Sequence, residues 1–150
     1  MKKYIRFFIT LLLIFSLSVC SVSAAGSSET STTEIIELEN GTYIEIVTTI
    51  SSLSRSNQKY ATKEFTCKTW SGSKIVGYLL KGWFEYDGNS SKATAVEAVY
   101  YIYHEGWDLD NHLEYCSGSS VYGAAKFDGP DGDTVTLTGS ITCDKDGNIS

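Results

Sequence analysis

The 150-residue sequence lacks the usual signs of several chemistries. Its four cysteines form no Cys-x-x-Cys pair and no Cys/His cluster, which removes a structural or catalytic zinc site from consideration. No Gly-x-Ser-x-Gly nucleophile motif is present. The only proline is Pro130, and no stretch keeps a helical period, so helical classes are set aside. The uncharged run Phe7 to Val19 has 13 residues, short of the roughly 20 that span a bilayer. Positive charge is scarce as well, with 12 Lys and Arg against 18 Asp and Glu and a formal net charge of −6.

What the first residues do carry is the order of a secretory leader. Lys2, Lys3 and Arg6 precede the apolar run, and the small residues Ser21 to Gly26 follow it. Residues 1–25 are therefore expected to be a signal peptide cleaved after Ala25. Leu17, Ser18, Val19 and Cys20 resemble a lipid-attachment box, but Val19 is too bulky for the position before the cysteine, so Cys20 is expected to leave with the leader. Cleavage removes three positive charges and no negative ones, taking the formal charge from −6 to −9. An exported surface of that sign repels phosphate backbones and anionic headgroups, which sets aside nucleic acid and bacterial membrane as partners. No membrane span is expected in the mature form.

Three cysteines survive this processing: Cys67, Cys116 and Cys143. In an oxidising compartment two of them are expected to form a disulfide, and spacing leaves all three pairings open.

Residues 26–40 are rich in Ser, Thr and Glu, with few large side chains to offset ordering entropy, and are expected to be a flexible tether. Residues 41–150 are a normal length for one domain. Here β-branched and aromatic residues alternate with turn signals at Asn40-Gly41, Ser71-Gly72-Ser73, Asp87-Gly88-Asn89, Ser117-Gly118 and Asp128-Gly129-Pro130-Asp131-Gly132. That rhythm predicts an all-β, about seven-stranded antiparallel sandwich of immunoglobulin-like type. Strands are expected near Thr42 to Thr49, Lys59 to Trp70, Lys74 to Tyr86, Ala93 to His104, His112 to Cys116, Ser120 to Phe127 and Thr134 to Cys143.

Strand alternation sharpens two of these. In Lys74 to Tyr86 the even positions Val76, Tyr78, Leu80, Gly82, Phe84 and Tyr86 carry no charge, whereas the odd set includes Lys81 and Glu85. Downstream, the even set Thr94, Val96, Ala98, Tyr100 and Ile102 is uncharged while Glu97 is odd. The even faces are expected to form the core. Setting Tyr86 opposite Lys92 then places Lys81 opposite Glu97 and Gly77 under Tyr101, a favourable charge pair and an aromatic covering a glycine.

The outer face of this hairpin would present Trp83, Tyr101 and Tyr103. These rings are either a ligand-binding platform, since flat aromatics stack on sugars and anchor protein interfaces, or a surface covered by another segment. Asp128, Asp131 and Asp133 crowd one loop, an oxygen-rich arrangement suited to calcium and equally ordinary in β-turns. Asp144 and Asp146 repeat the theme near Ser150, but the chain ends before a twelfth-position Glu. His104, Glu105, Asp108, Asp110, His112 and Glu114 gather the two histidines among acids; an exposed crossover explains them as well as acid–base chemistry does.

The string LKGWFEYDGNSSKATAVEAVYYIYHEGW, then SGSSVYGAAKFDG, then VTLTGSITCDKDGNIS, resembles a family of small secreted proteins of Gram-positive bacteria catalogued as a domain of unknown function. The matching residues are Gly82, Phe84, Tyr86 and Gly88, an aromatic strand running to Trp107, and Cys143 with Gly147. The resemblance covers about residues 59–150. It implies export and a β-rich fold and carries no activity with it.

The function expected is a secreted, non-enzymatic extracellular binding or interaction module for a glycan or protein, with no resident cofactor unless calcium fills the Asp128 loop. The alternative is a small bacteriocin-like or toxin-like effector.

Overall fold

The structure, a computed structural model, describes residues 22–24, 27–38, 41–53 and 57–150. The expected leader lies outside the described residues except for Val22–Ala24. No helix among the described residues is long and apolar enough to cross a membrane.

Among the described residues, nine strands form two antiparallel sheets. The larger contains β1 (Val22–Ala24), β2 (Ser27–Glu37), β3 (Thr42–Leu53), β4 (Gln58–Thr69), β5 (Lys74–Tyr86) and β6 (Ser91–Ile102), ordered as in the chain. The smaller contains β7 (Asp108–Ser117), β8 (Ser120–Asp128) and β9 (Thr134–Thr142), also in chain order, with a short 3-10 turn at Pro130–Gly132 between the last two. The all-β antiparallel sandwich expected from the sequence therefore forms. It is built from two meanders with nine strands rather than about seven, and it lacks the interleaved strand order of an immunoglobulin domain.

Of the extra strands, β1 falls at the end of the expected leader and β2 in the segment expected to be a flexible tether. β2 pairs with β3 from Ser27↔Leu53 to Glu37↔Tyr43. Its side chains from Glu29 onward are almost all exposed, so backbone pairing on a preformed neighbour extends it, not burial. Composition favours disorder for an isolated segment; a ladder supplied by β3 overrides it.

The core lies between the inner faces of β4–β6 and the three-stranded sheet. Val76, Tyr78, Leu80 and Phe84 of β5 are at most 1% exposed, as alternation required. They meet Val121, Ala125 and Phe127 of β8 and Leu137 and Ile141 of β9. The expected register is present through most of the hairpin: Lys81 faces Glu97, Gly77 faces Tyr101, and the Lys81–Glu97 charges stand 3.6 Å apart. At its closed end the register differs, with Tyr86 opposite Ser91 rather than Lys92. The cause is a bulge. Phe84 pairs with Ala93 and Trp83 with Ala95, leaving Thr94 as the extra residue, and its hydroxyl donates to the Trp83 carbonyl at 3.2 Å. The bulge also flips parity, which is why Ala93 is buried and Thr94 exposed. Farther along β6, Tyr100 and Ile102 share the inner parity yet remain 49% and 42% exposed.

No disulfide joins the three cysteines expected to supply one. Cys67 is buried on β4 opposite Val76, while Cys143 is buried beyond β9, its carbonyl accepting from the Ser91 hydroxyl near Tyr86. Ten positions of β5 separate those two levels, roughly 33 Å at strand rise. Cys116 is exposed on β7. The thiols sit at different corners of the sandwich.

Tyr78 spans the interface. Its hydroxyl donates toward the Leu113 carbonyl of β7 at 3.5 Å, and a Cβ at Gly123 would come within 2.5 Å of that oxygen. Gly123→Ala is expected to destabilise the protein by about 1–3 kcal/mol through overpacking, with Tyr78→Phe in the same chain relieving part of the loss; urea unfolding of the single and double variants measures both. Burial, and after it the Glu114 charge, pushes the Tyr78 phenol up to about 12. A raised folded value means its stabilising contribution is complete below the unfolded range near 10 and lost as pH climbs toward 12. Stability measured from pH 8 upward should fall through that window, and less steeply in Tyr78→Phe.

Candidate functional site

The outer face of the large sheet is made by the odd-numbered residues of β5 and their neighbours in register. Near its closed end one row runs Ser51, Tyr60, Trp83 and Ala95 across four strands. The Tyr60 and Trp83 rings lie 5.0 Å apart at 45° and stay partly open to solvent. They line a cavity of about 380 Å³ together with Ser51, Gln58, Lys59 and Thr94.

Gln58 also lines an adjoining polar cleft of about 470 Å³, with Asn57, Glu85, Asp87, Ser90, Ser91 and Lys92. The cleft is held in shape before any ligand arrives. Asp87 accepts from the Asn89 and Ser90 amides at 2.9 and 2.7 Å, and those bonds hold its carboxyl below the usual range. Gly88, at φ +84°, takes the left-handed conformation the turn needs and donates its N–H to the Lys145 carbonyl. Gln58 donates to Glu85 at 3.2 Å, and Lys92 stands opposite Glu85 in the ladder.

Of the three rings expected to form a platform, the structure joins two. Tyr101 and Tyr103 stack at 5.8 Å and 17°, close over Gly77, with the Lys74 ammonium 5.1 Å from the Tyr103 ring. Trp83 shares their face but lies six strand positions away, roughly 20 Å, with the Lys81–Glu97 pair between. Its true neighbour, Tyr60, was missed by considering one hairpin alone. The turn at Ser71-Gly72-Ser73 would by itself set Tyr60 opposite Gly82, and a bulge between Cys67 and Lys68, which no sequence pattern marks, moves it to Trp83. A third outer pair, Tyr43 and Trp70, lies at 5.6 Å with Trp70 58% exposed.

The acidic loop is arranged as a turn. Asp128 pairs with Lys126 at 3.2 Å, and Lys126 also holds Asp110 at 2.7 Å. Asp131 sits at φ +61° in the 3-10 turn, while the backbone N–H of Asp133 donates to Pro130. Asp128, Asp131 and Asp133 do not converge, and among the described residues no three His, Cys, Asp or Glu side chains are placed to hold a metal ion. Asp144 likewise spends its oxygens on Asp146 and Asn148 within its own turn.

His112 and Glu114 meet at 3.0 Å on the exposed strand β7, with the Tyr100 ring 6.2 Å from His112. His104 lies apart, lining a cavity of about 200 Å³ with Cys67, Trp107 and Asp133. Burial pushes the Cys67 thiol up, outweighing the hydrogen bond from Thr42 that lowers it, which is the reverse of what a thiolate nucleophile needs. No protein-family profile, curated protein or solved structure matches the chain.

Burial separates the three thiols in reactivity. Alkylation of the native protein is expected to modify Cys116 and spare Cys67 and Cys143, which react only after denaturation. Intact mass of the two samples, with peptide mapping, checks this.

Proposed function

We propose that this chain is an extracellular, non-enzymatic module that binds a neutral glycan through the Trp83–Tyr60 end of the large sheet. The observation carrying this reading is the aromatic pair flooring a cavity that runs into a preformed polar cleft. A sugar presents C–H groups on its ring faces and hydroxyls around its rim. The first suit the faces of Trp83 and Tyr60, and the second suit Gln58, Asn57, Glu85, Ser90 and Lys92.

The support is physical at each step. Side chains held on strands and on a turn locked by Asp87 lose little freedom on binding, so weak stacking and a few hydrogen bonds suffice for useful affinity. The cleft mixes acidic and basic groups, which favours an uncharged ligand. The formal charge of −9 expected after leader removal disfavours polyanionic glycans.

A glycan array probed with the wild-type protein, Trp83→Ala and Gln58→Ala tests the assignment. The expected result is binding to neutral oligosaccharides that weakens by about tenfold or more in Trp83→Ala, a loss near 1.4 kcal/mol, with circular dichroism and melting midpoint retained. Gln58→Ala, whose side chain is exposed, should weaken binding without touching the core. Array binding unaffected by either substitution, or no glycan bound at all, overturns the proposal.

A further inference from the structure

The half of the large sheet nearest the N-terminus has a charge pattern unlike the rest. From Ser21 to Ser54 the sequence contains five glutamates and no Lys, Arg or His. This stretch forms β1, β2 and β3. Glu45 is neutralised by Lys68 at 2.6 Å, and Glu29, Glu34 and Glu37 lie along β2.

β2 is also an edge. β1 pairs only with Ser27, Ser28 and Glu29, so among the described residues no strand lies beside Thr30–Glu37. The hydrogen-bond phase of that edge follows from the β2–β3 turn. Leu38 donates its N–H to Thr42, the residue opposite it, which makes the even-numbered residues of β2 the ones bonded to β3. The backbone N–H and C=O groups of Ser31, Thr33, Ile35 and Glu37 therefore point outward. Beside them on the outer face, Ile35, Glu37, Tyr43 and Trp70 line a hollow of about 470 Å³, with Ile35 48% exposed.

We propose that this edge takes an extended cationic peptide as an added strand. The outward amides and carbonyls of Ser31, Thr33, Ile35 and Glu37 continue the ladder, one Lys or Arg side chain meets Glu34 on the inner side of the edge and another meets Glu37 on the outer side, and an apolar side chain enters the Ile35–Tyr43–Trp70 hollow. Charge selects the occupant. A second copy would bring the glutamates of one edge beside those of the other, and like charges on paired strands are destabilising. A cationic strand meets unlike charge at Glu34 on the inner side and at Glu37 on the outer side. The same acidic row thus blocks self-pairing, the usual hazard of an open edge, while admitting a basic partner.

The test uses isotope-labelled protein and two synthetic octapeptides, one repeating Lys-Lys-Val-Val so that each face of the added strand carries both residue types, the other repeating Glu-Glu-Val-Val, followed by amide hydrogen exchange and titration. The lysine peptide should slow exchange at Ser31, Thr33, Ile35 and Glu37, and the glutamate peptide should not. Affinity should fall as salt is raised, and by about tenfold or more at low salt in Glu34→Lys with Glu37→Lys. Thr33→Pro removes an outward donor without breaking a β3 bond and should abolish the protection while the β3 amides stay slow. No slowing on β2, equal binding of both peptides, undiminished binding by Thr33→Pro, or a peptide-free dimer with those amides already protected each overturns the proposal.

Discussion

The sandwich depends on how closely its two sheets approach. Large rings from the six-stranded sheet enter the three-stranded sheet where the latter has no side chain. Tyr78 fills the space above Gly123, and Phe65 fills that above Gly139. Each ring is fully or almost fully buried, so the glycines are the sockets of a close-packed interface rather than flexible points. With that contact fixed, the odd side chains of β5 from Gly77 onward have only one direction left, outward. The placement of Trp83 beside Tyr60 is a consequence of burying Tyr78 and Phe84 on the opposite face.

Much of this was legible because β5 carries its charges on one parity. A single uncharged face of Val76, Tyr78, Leu80 and Phe84 fixes which side is buried, and the Lys81–Glu97 and Gly77–Tyr101 pairings then fix register. The Thr94 bulge was not legible, since an extra residue is tolerated wherever a hydroxyl can satisfy the freed carbonyl. Nor was β2: a strand exposed on both faces needs no apolar pattern, only a neighbour to pair with. The cysteines misled for a related reason. Compartment and count say whether a disulfide is feasible, but its geometry depends on the ends of the core at which the fold leaves each thiol.

The candidate site was legible in part for the same cause. Alternation identified Trp83, Tyr101 and Tyr103 as outward, yet a face is two-dimensional and one hairpin supplies only two of its columns. Tyr60 comes from β4 and Gln58 from its first residue, so their company with Trp83 appears only once a third strand is laid alongside. The aspartates were plausible ligands by type, but residue type does not set whether they converge; in the fold Asp128 faces the Lys126 ammonium, and Asp131 and Asp133 lie in a separate tight turn. The acidic edge is a property of a whole segment, invisible to motif-based inspection because no short string within it is unusual.

Both sheets join strands in chain order, which keeps nearly every pairing between neighbours in sequence. Local closure is the fastest route open to a β protein, since little chain entropy is lost before each hairpin is rewarded. A chain appearing from its amino end can zip up six strands in succession, yet its interior stays roofless until β8 and β9 arrive. The sockets at Gly123 and Gly139 and the apolar positions Val121, Phe127, Leu137 and Ile141 all lie in the last third of the polypeptide. Synthesis halted before Ser120 would leave a completed sheet with a bare, adhesive underside, so truncation from the carboxyl end is far more damaging to this architecture than truncation from the other.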